Sequence, residues 1–139
     1  MKSFKEFILN GIVKKQSPDF SRADSLIKES EKDYNFLKLI LNKIPLSDDN
    51  ANPTIISCYD IIMKIIRAEM FKKGLNASGF GAHEAEVFFL KELGFSEKDI
   101  EFANQLRYFR NGIEYYGKSF DKEYAKKVLN FLEKIYKIK

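Results

Sequence analysis

Residues 53–73 are apolar over most of a helix's circumference: Ile55, Ile56, Tyr59, Ile61, Ile62, Ile65, Ile66, Ala68 and Met70 leave only a narrow polar strip. A helix apolar over so wide an arc has little to show water, so it belongs at the centre of a bundle whose other helices cover it. It is not a membrane span. A span needs about 20 apolar residues, and Asp60 and Lys64 interrupt the longest run here, 55–66.

The flanking segments carry the one-sided patterns that such a centre requires. A first helix over 3–14 puts Phe4, Phe7, Ile8 and Ile12 on one side. A second, over 18–44, has the stripe Ala23, Leu26, Ile27, Ser30, Tyr34, Leu37, Ile40, Leu41 and Ile44. Ser17 is placed to cap it, with Pro18 at the first helical position where a missing N–H costs nothing. Residues 45–53 read as a loop. Gly74 ends the central helix, and 74–81 form a glycine-rich connection. A shorter helix over 82–93 stops at Gly94. Ser96 and Asp99 have capping-box spacing and open a helix that runs to Tyr116 and ends at Gly117. Asp121 caps a last helix with Tyr124, Val128, Leu132 and Ile135 inward and lysines opposite. No strand is expected. The predicted fold is all-α, an up-and-down bundle of four main helices with extra short ones.

At 139 residues, 45% of them hydrophobic, the chain can fill one domain core. The single cysteine, Cys58, rules out an internal disulfide and suits a reducing cytoplasm. On the apolar helix it reads as a small buried hydrophobe. Residues 1–14 are charged throughout and lack the apolar core of a signal peptide. The net charge of +4 tolerates a polyanionic partner without requiring one, because both signs are interspersed. His83 is the only histidine; Glu84 and Glu86 stand beside it, but no second His or nearby Cys does. A capping or packing role therefore outweighs a metal site. The lysines of 126–139 read as a solvated face.

The chemistry concentrates in residues 106–117, LRYFRNGIEYYG. Arg107 and Arg110 stand at i, i+3, and Arg110 and Glu114 at i, i+4, so all three share one helix face. Asn111 and Tyr115 repeat the spacing one residue round, bringing their polar ends beside Arg110. Two readings compete. A solvated face with an Arg110–Glu114 pair contributes only about 0.2–0.5 kcal/mol. An anion site would instead use the guanidinium groups and the amide to grip a phosphate, with Tyr108, Tyr115 and Tyr116 offering faces for base stacking. Gly112, costing roughly 1 kcal/mol relative to Ala inside a helix, signals close approach to the backbone by a helix or a ligand.

The long amphipathic helix before a very apolar one, the glycine-rich loop entering Gly81-Ala82-His83-Glu84-Ala85, and Arg110-Asn111-Gly112-Ile113-Glu114-Tyr115-Tyr116 together resemble the HEPN family of small helical proteins. The resemblance runs from Ser17 to Lys139 and leaves the first helix outside. It implies a homodimer whose motif helices line a shared cleft. It also implies RNA or nucleotide as ligand, and in many relatives metal-independent ribonuclease activity or the toxin half of a toxin–antitoxin pair with a minimal nucleotidyltransferase. No cofactor is implied. Other relatives are silent assembly modules, in which Arg110 and Glu114 would organise only an interface. Carried over, Arg110 matches the motif arginine and Asn111 the polar residue after it. Where the family's histidine falls there is Tyr115 or Tyr116. Imidazole, near 6.5, exchanges protons at neutral pH, whereas phenol, near 10, makes a poor general base. The substitution preserves binding better than catalysis. Expected ligand contacts are Arg107, Arg110, Asn111, Glu114, Tyr115 and Tyr116; any cleavage would rest on Arg110, Asn111 and Tyr115.

Overall fold

The computed structural model describes residues 2–139. Its axis is α3 (Ala51–Lys72). Ile55, Ile61, Ile62, Ile65 and Ile66 on this helix are no more than 1% exposed. Each such side chain contributes about 1.5–3 kcal/mol by leaving water. Covering it are α2 (Phe20–Lys43), α4 (Ala82–Phe88), α5 (Glu97–Tyr116) and α6 (Lys122–Tyr136), all in contact with α3. The protein is therefore mainly helical, with α1 (Phe4–Leu9) as the sixth helix. Among the described residues no helix is long and apolar enough to cross a membrane.

The helix ends follow local chemistry. Ser96 Oγ accepts from the Asp99 N–H at 3.2 Å, and Asp121 Oδ1 from the Tyr124 N–H at 2.8 Å. Gly117 closes α5 in the left-handed region, at φ +64°. The loop that follows is tied to the start of α3 by Asn52. Its amide donates to the Lys118 carbonyl at 2.8 Å and accepts from the Phe120 N–H at 3.0 Å.

Several expectations are corrected. Residues 3–14 do not form one helix: α1 stops at Leu9, and Gly11 (φ +76°) turns the chain into β1 (Val13–Lys15). This strand pairs antiparallel with β2 (Leu75–Ala77), so the protein contains a two-stranded ribbon. Gly74 (φ +70°) stands where the ribbon begins. Its carbonyl accepts from the Gln16 N–H at 2.8 Å, and a Cβ there would lie 2.3 Å from the Gln16 carbonyl oxygen. Because the ribbon holds Gln16 against Gly74, Ser17 and Pro18 stay outside the helix, and Asp19 caps α2 by accepting from the Arg22 N–H at 2.9 Å. The 82–93 helix is shorter than expected, ending at Phe88 and tightening into a 3₁₀ turn at Phe89–Lys91. Of the α2 stripe, Ala23, Ser30 and Leu37 are buried, but Ile40 and Ile44 are exposed along with Phe36 and Leu39.

The N-terminal segment is part of the packed structure. Phe4 meets Phe89 edge-on at 5.0 Å, and Phe7 lies 5.6 Å from Phe88.

Candidate functional site

The last turns of α5 lie open on both flanks. Helical spacing sorts their side chains into three stripes: Arg107, Arg110 and Glu114; Tyr108, Asn111 and Tyr115; Phe109, Gly112 and Tyr116. The first stripe leans toward α3. Arg110 pairs with Glu114 through Nη1, and its Nη2 lies 3.7 Å from Asp60. Its guanidinium carbon stands 5.8 Å from the Tyr59 ring, and its Nε is buried with no hydrogen-bond partner. Arg107 donates from Nε and Nη2 to Asn104 Oδ1 at 3.1 and 3.0 Å. Its guanidinium stacks 4.5 Å from the Tyr108 ring.

These groups open on a groove of about 760 Å³ between α5, α3 and the segment 79–84. Arg107, Arg110, Asn111 and Tyr115 all line it. Glu114 and Tyr116 do not. Glu114 acts through its pair with Arg110, and Tyr116 borders a second hollow on the other flank of α5, together with Gly112 and Phe120.

The opposite wall belongs to α3. Asp60, Lys64 and Arg67 stand at i, i+4 and i+7 and form the narrow polar strip of that helix. Arg67 holds the buried Glu86 bidentately, from Nε at 2.6 Å and Nη2 at 3.0 Å. Burial alone would raise the Glu86 carboxyl, but hydrogen bonds from His83 and Arg67 bring it below its ordinary range. Asp60 is the contrasting case. Burial pushes its carboxyl up, and the nearby charges of Arg110 and Lys64 recover only part of that. Tyr59, which unlike the half-exposed Asp60 is buried, has its phenol pushed up to about 12 by burial. Lys2 reaches the rim and pairs with Glu84 at 3.1 Å.

Arg107 also lies 3.7 Å from Glu84, and Lys64 pairs with Asp33, so each guanidinium and ammonium group lining the groove has a carboxylate of the same chain beside it. Such an arrangement can bind an anion that outcompetes those carboxylates, and phosphate oxygens match the guanidinium fork.

The α3 contribution was not recognised as a site in the sequence, although its signal is there: the residues that interrupt the apolar run share one face. His83 neither caps α4 nor packs inside, as the sequence suggested. Gly81 occupies the cap position, and the His83 side chain is 65% exposed with Nδ1 3.2 Å from Glu86. Among the described residues no group of three or more His, Cys, Asp or Glu side chains is placed to hold a metal ion. Cys58 is fully buried, its thiol pushed up to about 12 by burial.

A family model described as HEPN domain matches residues 23–139. The chain belongs to the HEPN domain family. The matched region contains the whole of α3 and α5, while α1, β1 and Lys2 fall outside it. Searches of curated proteins and of solved structures gave no match.

Proposed function

We propose that the α3/α5 groove binds RNA or a nucleotide through its phosphate. Arg110 and Arg107 supply the positive charge, Asn111 and Tyr115 hydrogen-bond the phosphate oxygens, Glu114 holds Arg110 in place, and Asp60 is the carboxylate that the phosphate displaces. The observation that carries this reading is the arginine itself: Arg110 lines the groove, and its Nη2 lies 3.7 Å from Asp60, beyond hydrogen-bond distance, so only its Nη1 is bonded to a carboxylate among the described residues. A guanidinium completely spent on internal carboxylates would have all its donors engaged.

The proposal favours binding over cleavage. Tyr115 stands where the family's histidine belongs, and a phenol donates a hydrogen bond far more readily than it accepts a proton at neutral pH. Family membership further supports a homodimer in which a second α5 completes the cleft. It also supports a toxin-type role beside a minimal nucleotidyltransferase.

Fluorescence anisotropy with end-labelled single-stranded RNA and with labelled ATP tests the binding. Arg110→Ala should weaken one of them by about tenfold or more, the loss of a charge-assisted hydrogen bond. Unchanged affinity for both in Arg110→Ala refutes the reading. Gel filtration of the wild type checks the dimer.

A further inference from the structure

A second cavity lies on the other flank of α5, and the two share a ridge. Tyr108, Asn111 and Tyr115 line both the arginine groove and this hollow of about 630 Å³. The far side of the hollow differs in chemistry from the groove: Phe109, Gly112, Tyr116 and Phe120 form it, with the stem of Lys118 beside them.

The aromatic walls are braced from behind. Phe109 and Phe120 lie 4.8 Å apart, and Tyr124 contacts both, at 5.3 and 5.4 Å. Asn52 fixes the loop carrying Phe120 through its two backbone hydrogen bonds. On the open side, Tyr108, Tyr115 and Tyr116 are 60%, 69% and 79% exposed. Rigid rings behind and free rings in front suit a planar guest entering edge-first.

Gly112 points the same way. Among the described residues, the three heavy atoms nearest to a Cβ built there all belong to the Lys118 side chain, at 3.4 Å or more, and none to another helix. Alanine would fit and would favour the helix. The missing side chain is therefore not explained by packing within the chain, and it leaves bare backbone on the wall of the hollow.

We propose that this hollow receives a nucleobase of single-stranded RNA whose adjoining phosphate sits in the arginine groove, with Asn111 spanning the two. This rests on the phosphate reading above and narrows its ligand to an unpaired strand. A base in a duplex has both faces covered and cannot enter. Aromatic side chains stack on any base, so the site discriminates single from double strands and only weakly among sequences.

The test uses the full-length protein and a short RNA carrying one 2-aminopurine, whose fluorescence is quenched by stacking. Wild type should quench it, and should bind the same RNA about tenfold less tightly when it is annealed to its complement or when the base is removed. Gly112→Leu, which fills the hollow, and Tyr116→Ala, which strips one wall from an exposed position, should each lose most of the quenching and about tenfold in affinity for the intact strand. Neither should change affinity for the abasic strand. If Gly112→Leu fails to fold, Tyr116→Ala carries the comparison.

Full quenching in both variants, or equal affinity for single and double strands, overturns the base site while Arg110→Ala still tests the phosphate site. Loss of dimerisation in Gly112→Leu, with quenching intact in Tyr116→Ala, assigns the glycine to a subunit contact and also overturns it. If Arg110→Ala leaves every affinity unchanged, the phosphate reading fails first.

Discussion

Asp60 is the carboxylate an incoming phosphate must outcompete, so removing its charge should tighten binding. Its Oδ1 lies 3.7 Å from Arg110 Nη2, and its side chain is 49% exposed. A charge pair at that separation, in contact with solvent, is worth about 1 kcal/mol. Asp60→Asn keeps the shape and abolishes this competition, so RNA affinity should rise about fivefold at low salt. The gain should shrink as ionic strength rises, because exposed charges are screened. The pH dependence gives a second handle. The Asp60 carboxyl is pushed up by burial, against the pull of Arg110 and Lys64, so it loses its charge at a higher pH than a free aspartate would. Wild-type binding should therefore tighten as pH falls toward that titration, and Asp60→Asn should lack this component. Anisotropy titrations at two salt concentrations and across mildly acidic pH read both effects. Weaker or unchanged binding by Asp60→Asn at low salt would mean that no anion visits Arg110 from that side.

Two predictions concern the scaffold beneath the groove. Arg67→Met leaves the Glu86 carboxylate, only 3% exposed, with His83 as its remaining side-chain partner, and should cost about 3 kcal/mol at pH 7 by urea denaturation, the low end for a broken buried pair because Arg67 is one-third exposed and His83 stays. Glu86 is held below its ordinary 4.5, so the contribution of the pair is complete above that pH and is lost as pH falls through the folded-state value; the gap between wild type and variant should close in acid. Gly74→Ala combines a left-handed backbone with a Cβ 2.3 Å from a carbonyl oxygen, and should lower the melting temperature by roughly 10 °C for a cost of about 2–4 kcal/mol. A variant as stable as wild type would mean that the ribbon does not hold Gly74 against Gln16.

Periodicity and caps were enough to place α3, α5 and α6, whose patterns and end signals are local, but not the ends of α1 and α4 or the burial of the α2 stripe. The isoleucines of α3 admit one environment, and Ser96, Asp121 and Gly117 mark helix ends by bonds and dihedrals that involve near neighbours. Spacing along one helix likewise put Arg107, Arg110, Asn111 and Tyr115 close together, and all four line one groove.

What faces them depended on the packing of separate segments. Asp60, Lys64 and Arg67 are a minor strip until α3 lies against α5, and Lys2 is a terminal residue until α1 docks on α4. The ribbon escaped for the same reason. Strands this short have no periodicity, and only the pairing of Val13 with Ala77 and Lys15 with Leu75 defines them. Local hydrogen bonding and hydrophobic spacing thus determined α3, α5, α6 and half of the groove. Its other half, and the partner of each charge, came from contacts between residues far apart in the chain, for which a single sequence carries no local pattern.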